Sequence, residues 1–306
     1  MQTQTNTTLG VTLNVIASGF FALMFAYTAL LKDVEGTEIY GWRIVLTLPL
    51  LTLFIVMRGY WPQVTTIIRR IVNERYFWAT RLLSSFLVGL QLWLFMWAPV
   101  NGYGLAVSLG YFMMPITMVV VGRLAFNDKM SRLQQLACGF AVIGVLNQLI
   151  ISQTLAWPTL AICLCYPVYF WLRLKTDTNS IGCVWFDMLL SVPFSLYCLI
   201  HSGDVLSSLT TSYQLLWLVF GLGIISAMAL AFQSLSAPHL NLSLFGLLIY
   251  VEPVMLLLVA LLLGETISPK ECPTYIAIWL AVMALVAEGI LGLKKTRSLS
   301  KAAGHL

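Results

Sequence analysis

Apolar residues run through this chain in long blocks, and polar residues gather in the gaps between them. A helix needs about 20 mainly apolar residues to cross a bilayer. Ten such blocks follow one another, at residues 9–31, 39–57, 77–99, 105–126, 133–151, 157–173, 181–201, 214–235, 242–263 and 274–293. The pattern predicts an all-α integral membrane protein with ten transmembrane helices.

Composition points the same way. The 306 residues are 59% hydrophobic and only 9% charged, with a mean hydropathy of +0.89. A soluble domain carries about 25% charged residues, and a water-facing surface cannot be built from so few. The opening MQTQTNTTLG has no basic residue, and the apolar run after it is too long for a signal-peptide core. The first block is therefore expected to stay in the protein.

Charge sets the direction. With a cytoplasmic N-terminus, the inner segments hold Arg58, Arg69, Arg70, Arg75, Arg81, Arg123, Lys129, Arg132, Arg173, Lys175, Lys294, Lys295, Arg297 and Lys301, 14 of the 17 Lys and Arg. The outer loops hold Lys32 and Lys270, and Arg43 lies just inside the second block. An excess of this kind marks cytoplasmic segments. It places both termini in the cytoplasm. It also makes the net charge of +5 a record of insertion, with no nucleic-acid partner implied. Five of the six cysteines lie in apolar blocks and Cys272 lies in an outer loop, so no disulfide framework or metal spacing is visible. No cofactor or metal is expected.

The stretch WAPVNGYGLAVSLGYFMMP begins at Trp97, and SAPHLNLSLFGLLIYVEP begins at Ser236. Ala98-Pro99 maps onto Ala237-Pro238 at an offset of 139, and Pro115 onto Pro253 at 138. An acid follows each second proline, Asp128 thirteen residues on and Glu265 twelve. These matches predict a duplication of five helices. Five is odd, so the second copy enters the membrane from the opposite side, as in carriers that alternate access around a midplane site. The expected units are 1–153, 154–293 and a basic cytoplasmic tail, 294–306.

These residues resemble the RarD-type branch of the EamA, or drug/metabolite transporter, superfamily. The likeness runs from GLQLWLFMWAPVNGYGLAVSLGYFMMP through YPVYFWLRLK (166–175), LSLFGLLIYVEP (242–253), the Gly-Glu pair at 264–265 and IAIW (276–279). It implies ten helices in two inverted five-helix repeats. It also implies a multi-pass carrier of the bacterial inner membrane, an exporter or exchanger of small metabolites. Two positions depart from the family's pattern. Asp128 in FNDK replaces the usual Gly-Glu pair, and Glu252 stands before Pro253 in place of a small residue.

Candidate site residues follow from polarity inside apolar blocks. A proline within a helix frees a carbonyl, which lipid cannot satisfy. Pro115 and Pro253 are therefore expected to face a central cavity, and Gly110 to allow close helix approach. Intramembrane charges are costly and usually functional. Glu252, near the middle of the ninth block, is the candidate for proton coupling or for binding a cationic group. The first helix offers Asn14 but no acid. Asp187, Glu288 and Arg173 sit in the cytoplasmic third of their blocks and suggest ion pairs or gating braces, with Arg173 a partner for Asp187. Arg43 lies close to Glu38 and is expected to snorkel to the interface. Gln91, Trp93, Trp97, Asn101, Tyr111, Tyr166 and Tyr250 are candidates to line a mixed aromatic and polar cavity. Such a cavity suits an amino acid, an amine or an aromatic compound.

The functional expectation is a secondary transporter of a small molecule, working in the lipid bilayer as a monomer or homodimer, and not an enzyme. The alternative is an intramembrane enzyme acting on a lipid-like substrate, which needs clustered His, Asp or Lys. The three histidines, His201, His239 and His305, are scattered. No Walker or GxGxxG motif is present to drive ATP chemistry.

Overall fold

The computed structural model describes residues 7–32, 34–126, 131–152, 156–201, 213–236, 239–240, 248 and 250–303. Among the described residues there are eleven α-helices and no strand. They are α1 (Thr7–Tyr27, prolonged by a 3-10 turn, Thr28–Leu31), α2 (Gly36–Met57), α3 (Trp61–Asn73), α4 (Phe77–Val100), α5 (Gly104–Phe126) and α6 (Arg132–Ser152). After these come α7 (Trp157–Lys175), α8 (Ile181–His201), α9 (Tyr213–Ser236), α10 (Val251–Leu262) and α11 (Cys272–Ala303). Every apolar block carries a helix, although block 242–263 is described as helix only over Val251–Leu262. Asp128, Ala237 and Pro238 of the repeat signature lie outside the described residues.

Five helices are long and apolar enough to cross a membrane: Thr8–Leu31, Gly36–Met57, Phe77–Val100, Ile181–His201 and Tyr213–Ser236. Their outer faces carry large apolar side chains. Phe86, Ile200 and Trp217 are exposed, and so is Leu262 on α10. Soluble monomers rarely expose contiguous apolar surface on this scale, whereas acyl chains solvate it without penalty. The chain is a multi-pass membrane protein.

Helix α3 falls in what the apolar pattern left as a polar link. Val64, Ile67, Ile68 and Ile71 recur at helical spacing, and Pro62 suits a first turn. Val64 and Ile67 are buried as α3 packs against α8, with the Trp61 ring edge-on to Trp185 at 5.5 Å.

The helix pairs form a pattern of their own. Helices α1 and α9 pack together, as do α4 and α7. So do α5 and α7, and α1 and α10; likewise α2 and α9, and α4 and α8. Three more pairs are α2 with α8, α5 with α10, and α6 with α11. Set α3 aside and exchange each remaining helix for the one five places along. Each of these pairings then becomes another of them or itself. The packing of α2 on α4 breaks the pattern, since α8 and α9 show no contact of similar extent among the described residues.

Proline-freed carbonyls are handled locally. Pro167 lies inside α7 and cannot bond the carbonyl of Cys163, four residues earlier. Thr117 of α5 donates its hydroxyl to that oxygen at 2.5 Å. At the same contact Gly110 lets the helices close. A Cβ there would stand 2.9 Å from the Ile162 Cβ and 3.0 Å from the Thr159 carbonyl. Pro115 lies buried inside a continuous α5. Pro253 occupies the first turn of α10, which is described from Val251. There a missing N–H costs no helix bond.

Candidate functional site

Six helices bring polar or aromatic side chains to one buried group. Arg43 comes from α2. Its snorkelling expectation is corrected: the side chain is 1% exposed and turns inward. Its Nε donates to the Ser226 hydroxyl of α9 at 3.1 Å, and its Nη1 donates to the Leu92 carbonyl of α4 at 3.3 Å. Its guanidinium lies over the Phe95 ring, 5.4 Å from the centroid. Phe95 meets Tyr111 of α5 edge-on at 6.1 Å. The Tyr111 ring in turn lies 5.8 Å from that of Tyr166 of α7. Glu252, at the start of α10, is half-buried and within electrostatic range of Arg43, Tyr111 and Tyr166. A basic and an acidic side chain thus belong to one tyrosine-walled group. Yet no carboxylate oxygen comes within 4.0 Å of Arg43 among the described residues.

The other cavity candidates divide. Gln91 is buried, and its amide nitrogen donates to the Ala161 carbonyl of α7 at 3.0 Å. Trp93 and Trp97 stack at 5.2 Å, and both meet Trp157. Tyr103 stacks on Trp97 at 5.4 Å, so an aromatic plate covers one end of α4 and α7. Trp93 is fixed further by an indole hydrogen bond to Thr37 at 3.2 Å. Asn101 is exposed and donates to the Trp97 carbonyl of its own helix at 2.7 Å, which closes α4. Tyr250 belongs to a second apolar cluster with Leu109 and Phe112. Glu288 is its charged neighbour, so the two stand apart from the Tyr111–Tyr166 pair. Pro115 and Pro253 are both buried.

A separate polar cluster joins the N-terminal ends of α4 and α8. The expected partner of Asp187 was Arg173; its ion pair is instead with Arg81, at 3.6 Å. Both side chains are fully enclosed. Ser84 donates to Asp187 Oδ2 at 2.6 Å, and Arg81 also reaches Thr176 at 3.2 Å. Arg173 donates to the Tyr169 hydroxyl at 3.2 Å and to the Ser180 carbonyl at 2.9 Å, which pins the α7–α8 turn. Helical geometry explains the exchange: Arg173 folds back on its own connection, while Arg81 and Asp187 meet across the α4–α8 contact.

Over 275 residues the chain is 36% identical to a Pseudomonas aeruginosa protein named "chloramphenicol-sensitive protein RarD", covering 90% of this chain and 92% of that one. The chain belongs to the RarD-type branch of the drug/metabolite transporter superfamily. A Haemophilus influenzae protein named as an uncharacterized transporter is 32% identical over 281 residues, 92% and 94% of the two chains. A Salmonella typhi protein named RarD is 26% identical over 289 residues, 94% and 97%. No protein-family model and no solved structure matches.

Three members of the central group in this RarD-type chain escaped the sequence: Phe95, Ser226 and the inward role of Arg43. Arg43 offered a signal, an arginine placed inside an apolar block. Ser226 offered none, because one small hydroxyl in the α9 run reads equally well as packing.

Proposed function

We propose that this RarD-type chain is a secondary transporter of the bacterial inner membrane. It moves a small organic metabolite or drug by alternating access, as an exporter or exchanger. The observation that carries this is Glu252. Its carboxylate stands half-buried beside two tyrosines where α10 meets α1 and α5, and among the described residues no side-chain hydrogen bond reaches it. A carboxyl in such a place can bind a proton or the cationic group of an amine, amino acid or aromatic compound. The self-mapping of the helix pairs supports two inverted repeats, 1–153 and 154–293, that rock about this point, with the basic 294–306 segment on the cytoplasmic side. The family's transporter names support the same reading.

In this reading the Arg81–Asp187 cluster braces the cytoplasmic end, and the Trp93–Trp97–Trp157 plate covers the outer end. Each end opens in turn while the other holds. Reconstitution of Glu252→Gln tests the proposal. Wild-type flux varies between about pH 5.5 and about 8, and the variant, folded and monodisperse, is expected to lose that dependence. A variant that keeps the wild-type pH profile removes Glu252 from the mechanism.

A further inference from the structure

The chain buries two arginines to the same degree and treats them differently. Arg81 and Arg43 are each 1% exposed. Arg81 is given a carboxylate, Asp187, at 3.6 Å. Arg43 receives only neutral acceptors, the Ser226 hydroxyl and the Leu92 carbonyl. Taking a guanidinium out of water costs several kcal/mol unless an anion accompanies it. The Ser226 and Leu92 bonds orient Arg43 without neutralising it. They occupy Nε and Nη1, and among the described residues Nη2 has no hydrogen-bond partner. A cation is thus fixed in direction by two bonds, with one donor edge unspent, inside a tyrosine-walled group to which Glu252 also belongs.

We propose that Arg43 is the anion-binding pole of the transport site, taking the carboxylate of a small amphoteric substrate whose cationic group turns toward Glu252. The proposal rests on the transport reading above and narrows its substrate class. The planar fork of arginine suits a carboxylate, and Phe95, Tyr111 and Tyr166 supply flat walls for the body of the substrate. Lysine in place of Arg43 keeps the charge. It has a single nitrogen, which cannot hold Ser226 and Leu92 and also present a fixed donor edge.

The test uses the full chain in nanodiscs and proteoliposomes. The probes are a panel of α-amino acids, the amines left by their decarboxylation, and the same acids without the amino group. Binding is read by thermal shift and titration, transport by counterflow. At least one amino acid is expected to bind wild type about tenfold or more tighter than its amine. Arg43→Lys is expected to bring that ratio near one while amine binding persists, which also certifies that the variant is folded. Ser226→Ala, which frees the guanidinium without removing it, should narrow the ratio by a lesser amount. Three results overturn the proposal: amines binding as tightly as amino acids, Arg43→Lys retaining the preference, or no panel member binding folded wild type. Flux of amines alone ends this inference and leaves the carrier reading standing. Arg43-dependent binding with no flux of any probe ends the carrier reading and leaves the anion pole.

Discussion

At the scale of single residues, what matters is which buried charge has a partner. Arg81 and Asp187 come from distant parts of the chain and neutralise one another inside the α4–α8 contact. Removing either leaves the other charge stranded, at a cost of about 3–5 kcal/mol. Asp187→Asn is therefore expected to lower the melting temperature in detergent sharply. A double replacement, Arg81→Met with Asp187→Leu, should recover most of the loss, because well-packed apolar residues often match a buried pair. If the double variant melts at or below the single one, Asp187 is held in place instead by the hydrogen bonds its Oδ2 accepts from Ser84 at 2.6 Å and from the Cys183 thiol of its own helix at 3.6 Å. The sequence displayed every one of these charges and misassigned two. Charge inside an apolar block is visible in one dimension; the side chain that meets it from another helix is not. That is why the sequence alone pairs Asp187 with Arg173 and sends Arg43 toward the membrane surface.

At the scale of elements, the apolar blocks are legible because lipid demands long uninterrupted runs. The limits of the first eight fall within a few residues of the described helices, whereas block 242–263 is described as helix only from Val251 and α11 runs on to Ala303 beyond block 274–293. The ends were less legible. Glu265, expected only as the acid that closes the second repeat, bonds the backbone N–H groups of Gly104 and Leu105 at 2.6 and 2.8 Å. It thus places a carboxylate on the positive end of α5 and ties it to the turn after α10. Gly104 permits this approach, since a Cβ there would collide with the Glu265 carboxylate. Gly104→Ala is expected to displace the cap and lower stability by about 1–2 kcal/mol, read as a melting shift, and Glu265→Ala should add little to it. Full additivity of the two would mean that the glycine matters for another reason. Helix α3 was overlooked because thirteen residues with a basic face cannot span a membrane. In its last turn, Arg70 pairs with the capping Glu74 at 2.7 Å and holds that carboxyl below its ordinary range. A depressed carboxyl stabilises above its unfolded pKa and stops doing so as pH falls through the folded one. Glu74→Gln should therefore melt slightly below wild type at neutral pH and level with it in acid.

At the scale of the whole molecule, parity tests the topology. Among the described residues, seven helices, α4 through α10, separate Arg69 on α3 from Cys272 at the start of α11. If each crosses the bilayer once, an odd number of crossings puts these two positions on opposite faces, and the charge bias puts Arg69 inside. The six cysteines make the experiment simple. Cys163, Cys183 and Cys198 are buried, Cys138 and Cys165 are partly so, and Cys272 is exposed. A membrane-impermeant maleimide applied to sealed spheroplasts is expected to label wild type at Cys272. An Arg69→Cys, Cys272→Ser variant should stay unlabelled until the membrane is permeabilised. Labelling of both positions from outside would mean an even number of crossings between them. The second five-helix unit would then not enter from the opposite side, and the exchange pattern of the helix pairs would need another origin. Labelling of Arg69→Cys alone would keep the parity and reverse the orientation, moving the Arg81–Asp187 brace to the outer face. The expected outcome leaves one arrangement standing. On the proposed transport reading, the brace would then close the cytoplasmic end and the tryptophan plate the outer end, with Arg43 and Glu252 between them as the point where a solute pauses.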